Sequence, residues 1–431
     1  MRHHVILGAG PAGVIAAETI RRHAPQDRIT LVGDEPHPPY SRMAIPYLLV
    51  GHIDEAGTHL RKRPGHYDEL RIERVQGRAL QVDTQRRTVR LQDGRALAFD
   101  RLLIATGSQP VKPPIHGVEL PGVHHCWTLA DARAILQRAG PGARVLQLGA
   151  GFIGCIIMEA LKQRGVQLTV VEMGDRMVPR MMGPAAGGMI QRWCERQGVR
   201  VLTGTRIEAI EHEAPLRARL SNGEHIAADL VIIAAGVRPA IAFLEGSGIR
   251  CLQGVLTDER MQTNVEGIFA AGDCAEAFDR VSGRTIVSAI QPNAAEQARV
   301  AALNMVGLSA ELRGVTQINV LDTLGLISTS FGQWQGVPGG ESAQWVDEAH
   351  HRVISLAFDG DRLIGSNTVG WTDHVGALRG LVEGQVRLGR WKEALRRDPT
   401  QFMAAYLATA QAQAAWCGPG DTRRRGDAPV R

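Results

Sequence analysis

Hydrophobic and polar positions fall into one arrangement that occurs twice along the chain. Residues 4–20, HVILGAGPAGVIAAETI, begin as an apolar run, pass through a glycine turn and continue with apolar positions at helical spacing. Residues 144–161, RVLQLGAGFIGCIIMEAL, do the same. Each reads as a strand, a turn and a helix. Farther on, each copy has strand-like runs around a tight-turn pair, Asp93-Gly94 in the first and Asn222-Gly223 in the second. A strand then ends in Ala105-Thr106-Gly107 or in Ala234-Ala235-Gly236. Gly94 and Gly107 lie 13 residues apart, as do Gly223 and Gly236. Matched spacing at both ends predicts an internal duplication of an α/β unit.

The pattern changes downstream. TNVEGIFAAGDCAEAF, Thr263 to Phe278, carries a strand ending at Gly272 and then Asp273, and a helix follows in QPNAAEQARVAALNMVG. INVLDTLGLISTSFG and RVISLAFDGDRLIGSNTVG, the latter turning at Asp359-Gly360, predict a small antiparallel sheet of alternating strands. ALRGLVEGQVRLGRWKEALRR reads as helix, and Asp398-Pro399 as the cap of another reaching about Trp416. In it Phe402, Met403, Tyr406, Leu407 and Ala410 form a stripe expected to pack on the sheet. GPGDTRRRGDAPVR is a polar tail expected to be disordered.

Composition narrows the class. A length of 431 residues suggests about three domains, and 44% hydrophobic residues are enough for ordinary cores. Aromatics at 4% argue against a stacking platform for nucleic acid, and the net charge of +5 owes part of its excess to the arginine-rich end. Cys126, Cys155, Cys194, Cys251, Cys274 and Cys417 form no C-x-x-C pair, so neither a zinc site nor a disulfide framework is expected, and a reducing compartment suits them. No charged segment precedes an apolar one at the start and no apolar run approaches membrane length, so the expectation is a soluble, cytoplasmic protein.

The glycines carry the candidate chemistry. Gly8, Gly10 and Gly13, and again Gly149, Gly151 and Gly154, are spaced G-x-G-x-x-G between strand and helix. The first glycine serves a tight turn, the second the approach of a pyrophosphate, the third the packing of helix on strand. The diphosphate then meets unpaired N–H groups and the positive end of the helix dipole. Glu172, 23 residues beyond Gly149, ends a strand where an acid accepts from ribose hydroxyls. In the first copy that acid is Asp34 or Glu35, slightly later than usual. The adjacent pairs His3-His4, His124-His125 and His350-His351 lack ligand spacing, and no metal site is expected.

Two such folds, the ATGSQP and AAGVRP blocks and FAAGD in this order resemble the FAD-dependent pyridine nucleotide-disulfide oxidoreductase superfamily over about residues 4–370. EPHPPYSR, Glu35 to Arg42, is similar to NADH-dependent rubredoxin and ferredoxin reductases and to the flavoprotein module of assimilatory nitrite reductases. The resemblance implies an α/β chain with two nested Rossmann-like dinucleotide-binding domains in a glutathione-reductase-like arrangement, an α+β interface domain and C-terminal helices. FAD would bind a discontinuous domain, 1–112 and 243–312, and NAD(P)H the domain 113–242. The interface domain would span 313–372, a helical extension 373–417 and the tail 418–431. The FAD set is then Gly8, Gly10, Gly13, Asp34, Glu35, Arg42, Thr106, Gly107, Gly272 and Asp273, with Asp273 on the ribityl chain. The NAD set is Gly149, Gly151, Gly154, Glu172 and Gly236. Arg42 is either a pyrophosphate contact or a surface arginine on its loop. The helix beginning at Gln291 would point its N-terminus at the flavin's pyrimidine edge, or be a core helix start.

Departures from the family bear on mechanism. Met43 stands at the position of the single redox cysteine, so thiol chemistry at the flavin is not expected. Tyr47 and Ile156 stand where the subgroup carries a lysine and a glutamate that pair across the nicotinamide pocket. Losing both avoids an unpartnered buried charge, and the flavin itself carries the hydride chemistry, so no catalytic side chain is assigned. Glu172 favours NADH over NADPH, with Arg176 read as a solvated loop charge. The leading reading is an NADH-dependent flavoenzyme passing electrons to an external rubredoxin-like or ferredoxin-like carrier, with no nucleic acid or membrane partner. The alternatives are an NADH oxidase acting on O₂ or a small molecule, and a flavin-bound redox sensor or assembly protein. Many members of the superfamily dimerise through the interface domain, which admits a homodimer.

Overall fold

A computed structural model describes residues 1–212 and 214–413. The chain forms two compact units. Met1–Val111, Trp127–Ala132 and Val237–Val315 make the first; Lys112–Cys126, Arg133–Gly236 and the chain from Thr316 make the second.

The first unit is built on a five-stranded parallel sheet in the order Ile268–Ala270, Arg101–Ile104, His3–Leu7, Arg28–Gly33, Ile72–Gln76. The central strand His3–Leu7 reads as an apolar run because both faces are covered: Val5, Ile6 and Leu7 are buried. Helices Pro11–His23 and Gln291–Met305 pack against each other in the same unit. A three-stranded antiparallel ribbon, Ala79–Asp83, Thr88–Leu91 and Ala96–Ala98, turns at Gly94.

The second unit repeats this plan. Its parallel sheet runs Arg200–Leu202, Gln167–Val171, Arg144–Leu148, Leu230–Ile233, Val123–His125. Its ribbon is Ile207–Glu211, Leu216–Leu220 and His225–Ala228, turning at Gly223. The duplication extends to side chains. The amide of His3 donates to Asp100 at 2.6 Å, and that of Arg144 to Asp229 at 2.9 Å, each aspartate standing just before the fourth strand of its copy. The fifth strands differ in origin: Ile268–Ala270 enters from late in the chain, Val123–His125 from just ahead of its copy. This is how two copies of one plan come to be interleaved in sequence.

Within the second unit, residues 318–369 form a five-stranded antiparallel sheet in the order Ile318–Thr323, Leu326–Gly332, Arg362–Val369, Arg352–Asp359, Glu341–Asp347. The hairpin at Asp359-Gly360 forms as expected, but its strands do not alternate in burial. Arg362–Val369 is buried from Leu363 onward, because helices Pro184–Arg196 and Val375–Glu383 both pack on it. Asp398 caps the start of the last helical segment by accepting from the Thr400 amide at 3.0 Å, although the first turn there is a 3₁₀ turn, Pro399–Gln401. Helix Phe402–Gln413 sets Phe402 edge-on to Trp371, with ring centroids 6.3 Å apart, and Tyr406 against Gly380, whereas Leu407 of the expected stripe is exposed. The expected helix end at Trp416, Cys417 and the tail 418–431 lie outside the described residues. Among the described residues, no helix is long and apolar enough to cross a membrane.

Candidate functional site

The two glycine loops are superposable in their chemistry. Gly8 and Gly149 have φ of +113° and +99°, and a Cβ on either would lie 2.0 Å from the Ala105 oxygen or 2.4 Å from the Ala234 oxygen. Only glycine allows this turn against the neighbouring strand. A Cβ on Gly13 or Gly154 would lie 1.9 Å or 2.5 Å from the carbonyl oxygen of Gly8 or Gly149, which is the tight packing of helix on strand. Gly10 and Gly151 are different: nothing stands within 4 Å of where their Cβ would be. Each is the N-cap of its helix, and neither supplies a side chain to the first-turn N–H groups. Two helix N-termini are thus bare and open above a glycine, the arrangement that receives a phosphate.

The acid after the second strand is placed differently in the two units. Glu172 accepts from the Ala150 amide at 2.8 Å and from the Gly174 amide at 2.7 Å, so its carboxylate is fixed to the glycine loop itself. In the first unit Gly33 takes the equivalent place, since the amides of Gly8 and Gly149 donate to Val32 and Val171, the residues just before Gly33 and Glu172. The acid therefore comes later. Asp34 is exposed and lines a cleft of about 360 Å³ with Leu7, Val32, Arg78, Thr106 and Phe243. Glu35 is turned elsewhere: it accepts from the Tyr40 hydroxyl at 2.7 Å and pairs with Arg42 at 2.9 Å.

Arg42 is not a free surface arginine. Its guanidinium also donates to the Ser108 carbonyl at 3.3 Å and lies 5.0 Å from the centre of the Trp127 ring. Burial opposes its charge, yet Tyr40 and Glu35 hold its pKa above the ordinary value. Ser108 in turn donates its hydroxyl to Asp273 at 2.8 Å. Burial pushes the Asp273 carboxyl up, against the Ser108 hydrogen bond and the nearby Arg42 charge. Thr106 and Gly107 tie this edge to Ala240: the Thr106 hydroxyl donates to its carbonyl at 2.8 Å, and the Ala240 amide donates to Gly107 at 3.0 Å. Gly272 donates its amide to Gln297 Oε1 at 2.8 Å, while the buried Nε2 of Gln297 has no partner. Of the first-unit candidates, the structure joins Glu35, Arg42 and Asp273 in one cluster through Ser108. Sequence reasoning gave no role to Ser108, Tyr40, Trp127 or Gln297, although Ser108 stood inside the ATGSQP block, Tyr40 inside EPHPPYSR and Gln297 in the helix beginning at Gln291; Trp127 alone lay outside any quoted motif.

In the second unit Gly236 lies three residues past the end of the strand Leu230–Ile233, at φ +98°, and the Arg180 guanidinium comes within 3.7 Å of where its Cβ would be. Arg176 is not the solvated charge expected of it. It pairs with Asp175 at 2.6 Å, donates to the Met182 carbonyl at 2.9 Å, and keeps only 20% of its side chain exposed. Met43 and Tyr47 are exposed at 53% and 58%. Cys274, beside Asp273, is fully buried, and burial raises its thiol pKa. Burial likewise pushes Cys194 up to about 12.

The first unit's residues fit a flavin nucleotide, on the open cradle over Gly10 and the unpartnered Gln297 amide beside Gly272. Comparison with known proteins agrees. The family model described as pyridine nucleotide-disulphide oxidoreductase matches residues 2–301. The NADH-dependent phenylglyoxylate dehydrogenase subunit epsilon of Aromatoleum evansii is 31% identical over 361 residues, 83% of this chain and 86% of that protein. The ferredoxin--NAD(+) reductase component of the biphenyl dioxygenase system of Paraburkholderia xenovorans is 34% identical over 273 residues, 63% of this chain and 66% of that protein. A putidaredoxin reductase, solved in covalent complex with putidaredoxin, shares the fold with a TM-score of 0.87 at 24% identity, covering 95% of this chain and 99% of that one. With a glycine cradle in each unit and the match running through both, this chain belongs to the pyridine nucleotide-disulphide oxidoreductase family and is an oxidoreductase of the flavin- and NAD(P)H-binding kind.

Proposed function

We propose that this chain takes reducing equivalents from NADH through FAD and delivers them to an external redox carrier of rubredoxin-like or ferredoxin-like kind. The observation that carries the reading is the pair of bare helix N-termini over Gly10 and Gly151, one in each unit, as two dinucleotides require. Flavin, when bound, supplies hydride acceptance and single-electron release. The chain's own residues supply position. Gly8, Gly10 and Gly13 cradle the FAD diphosphate, Asp34 takes the ribose, and Asp273, Thr106, Gly107 and Gly272 hold the ribityl side. Glu35 orients Arg42 for the FAD pyrophosphate. Gly149, Gly151, Gly154 and Gly236 cradle the nicotinamide dinucleotide, and Glu172 accepts from its adenosine ribose. A carboxylate there repels a 2′-phosphate, and Arg176 is committed to Asp175 and Met182, which supports NADH over NADPH.

The domain assignment that goes with this reading is FAD on 1–112 and 243–312, NADH on 113–242 and the antiparallel sheet as interface domain, except that Trp127–Ala132 and residues 237–242 fall in the first compact unit and go with the FAD side. An external acceptor is supported by Met43 at the redox-cysteine position and by the burial of Cys274, Cys155 and Cys194. One relative is itself a subunit of an NADH-dependent dehydrogenase, which supports a version in which the carrier is a partner subunit. The test is steady-state NADH oxidation with candidate carriers and with O₂ alone. Turnover that rises with carrier is expected; full turnover on O₂ with no response to any carrier would favour the oxidase reading instead.

A further inference from the structure

Trp127 lies in a part of the chain that the duplication does not explain. Residues Trp127–Ala132 belong to the first unit, although the segments on both sides, Lys112–Cys126 and Arg133–Gly236, belong to the second. The segment is pinned at its start: Asp131 accepts from the Trp127 and Thr128 amides at 3.1 and 2.9 Å, and the Thr128 hydroxyl caps the Asp131 amide at 3.1 Å. This fixes the backbone from which the indole projects. The ring then serves as a platform for Arg42, whose guanidinium carbon is 5.0 Å from the ring centre. A cation over an indole face is held in place by the ring quadrupole. Arg42 is thereby located from three directions, by Glu35, by the Ser108 carbonyl and by Trp127. The indole Nε1 is itself buried and has no hydrogen-bond partner. A buried N–H left without an acceptor is costly, so a group that retains one in its resting state is a candidate for an acceptor brought by a ligand.

We propose that Trp127 is a positioning residue of the flavin site, whose indole N–H donates to a phosphate oxygen of bound FAD while its face holds Arg42 toward the same phosphate. The inference rests on the flavin reading above. It adds to that reading a donor that no glycine motif contains. It also gives the cluster of Glu35, Arg42, Ser108 and Asp273 a fixed wall.

The test uses the full-length apoprotein titrated with FAD, followed by flavin absorbance and fluorescence. Trp127→Phe keeps a ring under Arg42 and removes the N–H; one hydrogen bond to a charged oxygen corresponds to about a tenfold loss of FAD affinity. Trp127→Leu removes the platform as well and should lose more. Because a variant can fail to fold, the wild-type protein gives a second measurement: the indole N–H resonance that disappears in Trp127→Phe should move downfield on FAD addition. An unmoved resonance, or unaltered FAD affinity in Trp127→Phe, would overturn the inference. A wild-type apoprotein that takes up no FAD would instead overturn the flavin reading itself.

Discussion

Gly8 and Gly10 are two residues apart, yet alanine should affect them in opposite ways. At Gly8 the backbone sits at φ +113°, where a side chain is strained, and the added carbon would lie 2.0 Å from the Ala105 oxygen. Contacts of that kind are not observed below 3.0 Å, so strand and turn would have to part by about 1 Å. The conformational strain alone costs about 1–2 kcal/mol, and the separation adds to it. Gly8→Ala should therefore lower the melting temperature of the apoprotein and its flavin content together. At Gly10 the backbone sits at φ −80°, which alanine adopts freely, and no atom lies within 4 Å. There the methyl reduces the freedom of the unfolded chain, worth about 0.4–1 kcal/mol in favour of the fold. It also occupies the space that a diphosphate needs, and a loss of affinity of at least about tenfold, or 1.4 kcal/mol, is expected. The assay is flavin-to-protein ratio after purification, with thermal unfolding of the flavin-stripped protein. Gly10→Ala should be as stable as wild type and poor in flavin. A Gly10→Ala protein with full flavin content and wild-type affinity would refute the placement of a diphosphate over this glycine.

Glu172→Ala should raise the KM for NADH by about tenfold to a hundredfold, as loss of a charged ribose acceptor and of loop order implies, with flavin content unchanged; equal loss of both would contradict the assignment of the second unit. Asp273 gives a prediction in pH. Its folded pKa lies above the ordinary 3.8 because of burial, so its contribution to apoprotein stability is fullest below that value and falls as pH rises through the raised pKa. Asp273→Asn should therefore unfold no earlier than wild type at neutral pH, while retaining less flavin; a less stable, flavin-replete variant would remove Asp273 from the site. Arg42→Lys should weaken FAD retention although it preserves charge, because the fork to Glu35 and the stack on Trp127 both depend on the guanidinium; isothermal titration of the apoprotein with FAD measures it.

Most of the architecture was legible because it rests on backbone demands that only certain residues meet. The three glycines of each copy, the Asp-Gly and Asn-Gly turns and the matched intervals are such demands, and each forms as expected. The paired aspartates, Asp100 and Asp229, were an unused sign of the same duplication. Strands Leu326–Gly332 and Arg362–Val369 do not alternate in burial as expected, since helices distant in sequence cover what local alternation left open. The site was legible where chemistry and backbone coincide. It was opaque where side chains converge from separate elements: Arg42, Ser108, Trp127 and Asp273 meet through the fold alone. Arg176 illustrates the limit in the other direction, for its spacing from Glu172 said nothing of the Met182 carbonyl that holds it.

The central proposal is that the chain binds a flavin and NADH and that NADH reduces the flavin. Anaerobic stopped-flow mixing of the FAD-loaded protein with NADH tests it most directly, with NADPH in a parallel run. The account predicts loss of the flavin's visible absorbance well within a minute, faster with NADH than with NADPH. Flavin that stays oxidised for minutes under saturating NADH would contradict it.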